Sequence, residues 1–465
     1  MLRQHGPTAF KIKLRLLQNA HFERRRLSPI AYGICPVISR WRFHSPFVPR
    51  RHKARARMKW FQIRQEDTLR RQQTQFGTAS ESQATLKTIG LCLIAKNEAH
   101  CIERCLASAT RLVDFILVVD TGSTDGTQDV IRKFLKDNNI RGVVIEEPWR
   151  DFAWNRTFAL TELRKYKDID YCLMIDADEA LEIEEGVDLE GFKRSLDRDF
   201  YQVPTFNGGI INQRPILFRN NVGFRYRGVL HEFLESPGKH CTWGVIIKGF
   251  HNRTFYDSAR NKNPLKYLHD AELLERTLVS ERDPFLISRY TFYLAQSYRS
   301  AGEKAKSLTN YLKRAELGFW EQEVFIALLS AGRLMEELGH SEADILTTYL
   351  RAFNVCPTRA ESLHAAARYC RVNNKFHQGY MIARQGIDIK KPEGAALFVE
   401  PSVYTYGMLD EYSVLAYWAG HYSESLEANE KLLQLKELPE GYRERIERNA
   451  QFAREKIQEA NLQKV

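Results

Sequence analysis

Long apolar runs are missing from this 465-residue sequence, and none approaches the roughly 18 residues that a membrane-crossing helix needs. A short apolar segment followed by small residues, the pattern of a secretory signal, is missing as well. We therefore expect neither a membrane span nor secretion, and we expect a cytoplasmic location.

Cysteines are few, and their spacing does not make a zinc site. Cys101 and Cys105 lie one helical turn apart, but no second Cys or His pair stands near them to complete four ligands. Cys92 and Cys172 fall inside apolar runs. We expect reduced, mostly buried thiols, as is usual for a cytoplasmic protein.

Acidic residues are scarce only near the start of the sequence. Residues 1–71 contain 18 Lys and Arg residues and three acidic ones, whereas residues 72–465 contain 51 basic and 55 acidic residues. The net charge of +11 therefore comes from an N-terminal arm, and a nucleic-acid-binding enzyme is not indicated. We interpret residues 1–85 as a disordered basic arm. The alternatives are a transit-like, membrane-surface or RNA-binding segment, or a start at Met58.

From about Thr88 the sequence alternates short apolar runs with helical patterns. The runs have strand length: "IGLCLIA" (89–95), "FILVVD" (115–120), "GVVIEE" (142–147) and "YCLMID" (171–176). This alternation predicts an α/β domain over residues 86–260, with a mostly parallel sheet and helices on both faces. Ligands of such sheets bind at the carboxyl ends of the strands.

From about Asp283 the chain reads as helical, and a weak repeat appears. Four helix–turn–helix units have the turn residues Gly302, Gly339, Asn374 and Gly420, at intervals of 37, 35 and 46 residues. A period near 34 resembles that of tetratricopeptide repeats. Residues 261–465 are therefore predicted to form an all-helical repeat domain, on which a protein partner could bind. An ordinary helical bundle is the alternative.

The stretch "VVDTGSTDGT" (118–127) places a glycine-containing turn at the end of the second apolar run. Ser123, Thr124 and Asp125 can cap the helix that follows. Asp120 stands where a carboxylate could accept hydrogen bonds from a base or a sugar. A well-capped turn without a ligand is the alternative.

Three acids follow the fourth apolar run, in "YCLMIDADEA" (171–180). Because strand side chains alternate with a period of two, Asp176 and Asp178 should point to one side of the strand tip. Two carboxylates at such a place are costly unless a cation compensates them. A divalent ion that also binds substrate phosphates would do so. A solvated acidic loop is the alternative.

Taken in order, "LIAKNEAHCIERCLAS", "ILVVDTGSTDGTQDVI" and "YCLMIDADEAL" resemble the family 2 glycosyltransferases, and in particular lipopolysaccharide-core glucosyltransferases. The resemblance covers roughly residues 88–260. It implies a GT-A fold, a nucleotide-diphosphate-sugar donor, a Mn²⁺ or Mg²⁺ ion and transfer with inversion. The acceptor of this glycan-building reaction stays open: a glycan, a lipid-linked molecule or a protein.

The resemblance also implies roles for individual residues. Asp176 and Asp178 match the metal-binding pair, and Glu179 could support them. Many members have a second Asp after the first acid, where this chain has Thr121, so the preferred base stays open. A surface helix arginine is the alternative for Arg156. Nucleotide contacts are assigned to seven residues: Ala95, Asn97, Glu98, Asp120, Asn155, Arg156 and Asp176.

Inversion requires a general base that takes the acceptor's proton. Similar enzymes have a His-Glu pair in the region of "FRYRGVLHEFLE" (224–235), so we expect Glu232 to be the base, with His231 beside it. The alternative is a salt bridge between Glu232 and Arg225 or Arg227.

A late histidine completes the metal site in many GT-A enzymes, and His251 in "KGFHNRTF" stands at that place. A structural histidine is the alternative. Arg219 could meet a phosphate. Two other functions compete with transfer: a sugar-nucleotidyltransferase, disfavoured because "AKNEAH" replaces the usual glycine-rich basic loop, and a repeat scaffold with an inactive transferase domain.

Overall fold

A computed structural model of the chain describes residues 85–462, apart from 208–209, 237, 239–240, 242–243, 394–395 and 437. Nearly all of the predicted arm lies outside the described residues. The residues that are described fall within one compact unit. The domain boundary at residues 260 and 261 therefore stays a prediction.

The four predicted strands are present and lie side by side. They are β1 (Ile89–Ala95), β2 (Phe115–Asp120), β3 (Gly142–Glu146) and β4 (Tyr171–Met174). β1, β2 and β4 are almost wholly buried, as strands covered on both faces must be, which is why they read as continuous apolar runs.

The described strands form an eight-stranded mixed sheet in the order β3-β2-β1-β4-β7-β6-β10-β5, with β8 and β9 as a separate pair. β3, β2, β1 and β4 are mutually parallel, whereas β7 is antiparallel to both β4 and β6. The later strands are β5 (Glu179–Ile183), β6 (Phe200–Asn207), β7 (Ile210–Arg219), β8 (Arg225–Arg227), β9 (Phe233–Glu235) and β10 (Phe250–Thr254).

Helices cover both faces of the parallel strands. They are α1 (Ile102–Ala109), α2 (Thr127–Asp137), α3 (Phe152–Leu163) and α4 (Leu189–Ser195). Leu91 and Leu93 of β1 belong to the apolar cluster that includes α1 and α2, whereas Cys92 between them belongs to the cluster that includes α3. The predicted α/β domain is thus confirmed.

Ten α-helices follow β10 in the described part of the chain. They are α5 (Lys266–Ser280), α6 (Pro284–Ser300), α7 (Lys304–Glu316), α8 (Glu321–Glu337), α9 (Glu342–Val355), α10 (Glu361–Val372), α11 (Phe376–Gly386), α12 (Met408–Trp418), α13 (Tyr422–Leu433) and α14 (Tyr442–Leu462). Each packs on the next in chain order, as repeat arrays do.

The four predicted turn residues separate the helices of four pairs and all have positive φ: Gly302 (82°), Gly339 (71°), Asn374 (59°) and Gly420 (85°). This is the left-handed conformation that ends many helices and that glycine and asparagine adopt most readily. The predicted helical repeat is confirmed. No helix in the described part of the chain combines the length and apolar character needed to cross a bilayer.

The cysteines of the described residues are free thiols, and all but Cys241 are buried. They are Cys92, Cys101, Cys105, Cys172, Cys241, Cys356 and Cys370.

Candidate active site

The predicted site residues gather where the parallel strands end. Ala95 and Asp120 are register partners at the last positions of β1 and β2, and Asp176 follows the neighbouring β4 by two residues. The chain order of the strands thus brings three separate sequence motifs to one edge of the sheet.

Hydrogen bonds join the loops after β1 and β2. The Asn97 backbone N–H donates to Ser123 Oγ over 2.8 Å, and the Thr124 N–H donates to Asn97 Oδ1 over 2.8 Å. Ser123 therefore binds the neighbouring loop and does not cap α2, whose N-cap is Gly126. The loop after β2 also bonds to the end of β1, because Thr121 Oγ1 donates to the Ala95 carbonyl over 3.1 Å.

Asp120 is 1% exposed, and its two carboxylate oxygens differ. Oδ1 accepts hydrogen bonds from the backbone N–H groups of Gly122 and Ser123 and from the side chain of Gln128, at 2.9–3.0 Å. Oδ2 is buried and has no partner among the described residues. Since an unsatisfied buried acceptor costs about 1–3 kcal/mol, this oxygen is suited to receive a ligand's N–H or O–H.

Glu98 is buried beside the start of α1. Its carboxylate accepts hydrogen bonds from the Ala259 backbone N–H at 3.3 Å and from Cys101 Sγ at 3.2 Å, and burial raises its pKa. Glu98, His100 and Cys101 lie close enough to share a metal ion. Burial raises the pKa of the Cys101 thiol far above its usual range, and the thiol donates a hydrogen bond to Glu98 in this structure.

Arg156 links two of the predicted functional acids. Its Nε donates to Glu232 Oε1 over 2.6 Å and its Nη2 donates to Asp176 Oδ1. The side chain is only 7% exposed, so it is not a surface arginine. Its neighbour Asn155 is placed differently: its side chain bonds to the backbone of Arg150 and Pro148, and so holds the loop after β3.

The acids after β4 have separate partners. Asp176 is also 3.8 Å from Arg214 Nη2, and its backbone N–H donates to Glu179 Oε2 over 3.0 Å. Burial acts to raise the pKa of Asp176, but Arg156 and Arg214 outweigh it and lower the pKa. Two arginines thus provide much of the charge compensation that the sequence had led us to assign to a metal ion.

Glu179 and Asp178 complete this group. Glu179 is buried, bonds to Arg214 and accepts a 3.1 Å hydrogen bond from Thr254 Oγ1. Asp178 is buried as well, but its recorded side-chain partner is an uncharged amide, Asn261 Nδ2, at 3.1 Å from Oδ2.

Glu232 lies in the 228–232 loop between β8 and β9. Its ion pair is with Arg156, whereas Arg225 and Arg227 both bond to Glu235 instead. The alternative partners considered for Glu232 are therefore occupied by another acid. The structure brings Glu232, Asp176 and Arg156 together.

His251 does not join the aspartates. Its Nε2 is 3.6 Å from Glu184 Oε1, and it stands three residues before Thr254, the residue of β10 that bonds Glu179. Along a strand this separation is about 10 Å, too far for a shared metal ion. Arg219 is also elsewhere, because it pairs in register with Tyr171, at the opposite end of β4 from Asp176.

Sequence reasoning missed Arg214 and Asn261. Both are held against the acids by long-range strand and loop packing, which leaves no local pattern. The one available signal was indirect: a buried carboxylate pair requires cationic or amide partners somewhere in the chain.

Known proteins that are similar to this chain are named as glycosyltransferases. Residues 91–207 match the family described as glycosyl transferase family 2. An uncharacterized glycosyltransferase of Rickettsia bellii is 32% identical over 249 residues, which cover 52% of this chain and 78% of that protein. A lipopolysaccharide core biosynthesis glycosyltransferase, LpsC of Rhizobium meliloti, is 34% identical over 90 residues, 19% of this chain and 31% of its own.

Among solved structures, S. aureus TarS 1-349 in complex with UDP is 13% identical and covers 61% of this chain and 91% of its own, with a TM-score of 0.30. A similarity of that size carries no weight for function. The sequence matches do, because the family match over residues 91–207 includes the strand-end loops that contain Asp120 and Asp176. On their strength, together with the helices that follow the sheet, the chain belongs to the family 2 glycosyltransferases, with a helical repeat region after the transferase fold.

Proposed function

We propose that this protein is a metal-assisted inverting glycosyltransferase in which Glu232 is the general base. The donor is a nucleotide-diphosphate-sugar, and the acceptor is a hydroxyl group of a glycan, a lipid-linked molecule or a protein. One observation carries the proposal: Arg156 bonds Glu232 and Asp176 at once, so the base lies next to an acid predicted to bind the donor.

Asp120 supports the assignment of the donor. Its buried Oδ2 has no partner among the described residues and stands at the end of β2. A ring N–H of a nucleotide base would satisfy this oxygen. Thr121, whose hydroxyl donates to the Ala95 carbonyl, is not available for the same purpose.

The residues present fit a divalent ion, but with fewer protein ligands than the sequence predicted. Arg156 and Arg214 already compensate Asp176, and His251 is remote. Asp178 would then be the protein ligand, with diphosphate oxygens and water supplying the rest, as is common for Mg²⁺. When bound, such an ion supplies positive charge that stabilises the departing diphosphate.

Transfer then requires one proton acceptor. Glu232 Oε1 is held by Arg156, and no hydrogen bond is recorded for Oε2 among the described residues. Oε2 accepts the proton of the acceptor hydroxyl while the acceptor oxygen bonds to the anomeric carbon. The bond from that carbon to the nucleoside diphosphate breaks on the opposite face, which inverts the configuration.

Glu232→Gln tests the proposal, because it keeps the hydrogen bond to Arg156 and removes the proton acceptor. We expect the rate of sugar transfer to fall by about 10²–10⁴-fold, with donor affinity measured by calorimetry nearly unchanged. Glu182→Gln, which alters an exposed Glu–Arg pair on the edge strand β5, is the matched control. A Glu232→Gln enzyme that turns over at the control's rate would overturn the role of Glu232.

A further inference from the structure

We infer that the first helices of the repeat region hold the 228–232 loop in its working conformation, and that Arg289 and Tyr290 on α6 are positioning residues for Glu232. This inference rests on the proposed function of Glu232. It gives the helical region a part in catalysis in addition to any part in binding partners.

The loop's backbone is bonded to α6. Arg289 donates from Nε and Nη2 to the His231 carbonyl, at 3.1 and 2.7 Å, and the Val229 N–H donates to Tyr290 Oη over 3.1 Å. Tyr290 is 1% exposed. Two backbone groups of a segment that lies outside regular strand pairing therefore find their partners on a helix of the repeat region.

The loop's side chains pack on the same helix. The His231 ring stacks on Tyr293 with 3.8 Å between ring centres and 10° between planes. Leu230 is buried in an apolar cluster with residues of α5 and α6, among them Leu274 and Leu286. Just before the loop, Arg227 Nη2 forms an ion pair with Oδ2 of Asp283, the N-cap residue of α6, over 2.5 Å.

The backbone at His231 explains why this support matters. His231 has φ of +51°, in the left-handed region that costs a non-glycine residue about 1–2 kcal/mol. Such a conformation persists only where neighbouring groups enforce it. Because Glu232 is the next residue, the direction of its carboxylate depends on that enforced turn.

Two properties separate positioning from mere stabilisation of the fold. The strand-end residues that would bind the donor make no recorded bond to Arg289 or Tyr290, so loosening the loop should lower kcat and leave donor affinity unchanged. A residue that acts only through Glu232 should also have no further effect once Glu232 is replaced.

The test uses the full chain and the release of nucleoside diphosphate with Mn²⁺. UDP-glucose, UDP-N-acetylglucosamine, UDP-galactose and GDP-mannose are the donors, with water as the acceptor. Arg289→Ala and Tyr290→Phe are compared with Arg299→Ala and Tyr298→Phe on the same helix, whose polar groups bond to Ser330 and Glu275 and not to the loop. Hydrogen exchange at the Val229 amide is measured in parallel.

We expect Arg289→Ala to lower kcat by about 10–100-fold with donor Kd unchanged, and Arg289→Lys to recover part of that loss. Tyr290→Phe should speed exchange of the Val229 amide, and neither control should change kcat or exchange. In a Glu232→Gln background, Arg289→Ala should lower the rate no further.

Three results would overturn the inference: a kcat of Arg289→Ala equal to that of Arg299→Ala, a parallel loss of donor affinity, or the same fold-loss in the Glu232→Gln background. If Glu232→Gln itself is as active as the wild type, or if none of the four donors is turned over, the proposed function fails. Exchange at Val229 then still reports whether α6 holds the loop.

Discussion

Asp176 and Asp178 are two positions apart, yet they have different surroundings. Asp176 is held by Arg156 and approached by Arg214, so its charge is balanced within the protein. Asp178 is more deeply buried than Asp176, and its side-chain partner among the described residues is the uncharged amide of Asn261. The site therefore has one carboxylate that maintains the structure and one that is available to an incoming cation.

Asp178→Asn tests this difference. Because the change removes a carboxylate at the strand ends that has no ion pair among the described residues, we expect transfer to fall by about 10²-fold or more and donor binding to weaken together with Mn²⁺ binding. The protein should stay folded, since the hydrogen bond to Asn261 can be kept. Turnover assays and calorimetry with and without the metal measure both effects.

Asp168→Asn is the control for that experiment, because Asp168 precedes β4 at the other end and pairs with Arg141 on the surface. Full activity of Asp178→Asn, or of the wild type in excess chelator, would rule out the metal role of Asp178.

At this scale the sequence predicted the acids better than their partners. The sequence singled out Asp120, Asp176 and Glu232 because strand ends and short motifs are local features of a chain, and their roles stay predictions. The sequence did not predict the role of Arg214. This residue reaches Glu179 only through the antiparallel pairing of β4 with β7, two strands that are about 40 residues apart. His251 was misplaced for the same reason: its distance from Asp178 depends on the register of β10 on β5.

Among the elements, α10 begins with a buried charge pair that fastens a long connection. Arg359 and Glu361 are fully buried and bond to each other, and Arg359 also donates to the Leu397 carbonyl over 2.7 Å. Tyr404 donates to Glu361 over 2.6 Å. The connection between α11 and α12 is thus tied to the helix array at Leu397 and at Tyr404.

This pair predicts a pH-dependent stability. Burial acts to raise the pKa of Glu361, but hydrogen bonds from Arg359 and Tyr404 lower it below its usual value. The ionised form therefore stabilises the fold above about pH 4.3, the pKa of an unfolded glutamate. That contribution is lost as the pH falls through the lower pKa of the folded state.

We expect Glu361→Gln to lower the free energy of unfolding by about 3–5 kcal/mol at pH 7, because Arg359 is left buried without a counter-charge. The deficit should begin to shrink below about pH 4.3, where protonation of the glutamate in the unfolded chain starts to offset the stability that the wild type gains from the ionised pair. Urea unfolding at pH 7 and pH 3.5 measures it. Glu337→Gln, which alters a surface pair with Lys304, should cost less than about 1 kcal/mol at either pH. A deficit that does not change with pH would contradict this account.

The elements themselves were largely predictable. The apolar runs predicted the strands β1 to β4. Residues that tolerate positive φ predicted the turns at Gly302, Gly339, Asn374 and Gly420. Both signals are local, because they depend only on residues that are close in the sequence. The sequence did not predict the mixed character of the sheet, because the antiparallel insertion of β7 between β4 and β6 depends on pairing between distant segments.

For the molecule as a whole, the positive charge is concentrated outside the part that binds substrate. Deleting residues 1–57, which hold most of the basic excess, should leave kcat and KM on a soluble acceptor within about 2-fold of the wild type, because the site is built from residues 95–261. Turnover and thermal unfolding of the truncated chain measure this. Lost activity or unfolding would show that the segment belongs to the catalytic machinery, whereas lost vesicle binding alone would indicate a membrane-surface role.

The free thiols provide a built-in reporter of local opening. Cys92, Cys105 and Cys172 are buried in the sheet region, and Cys356 and Cys370 are buried among the repeat helices. A buried thiol reacts with an alkylating reagent only when its surroundings open. Mass spectrometry of native-state labelling would therefore time the opening of the sheet and of the helices separately, in one sample and without an introduced probe.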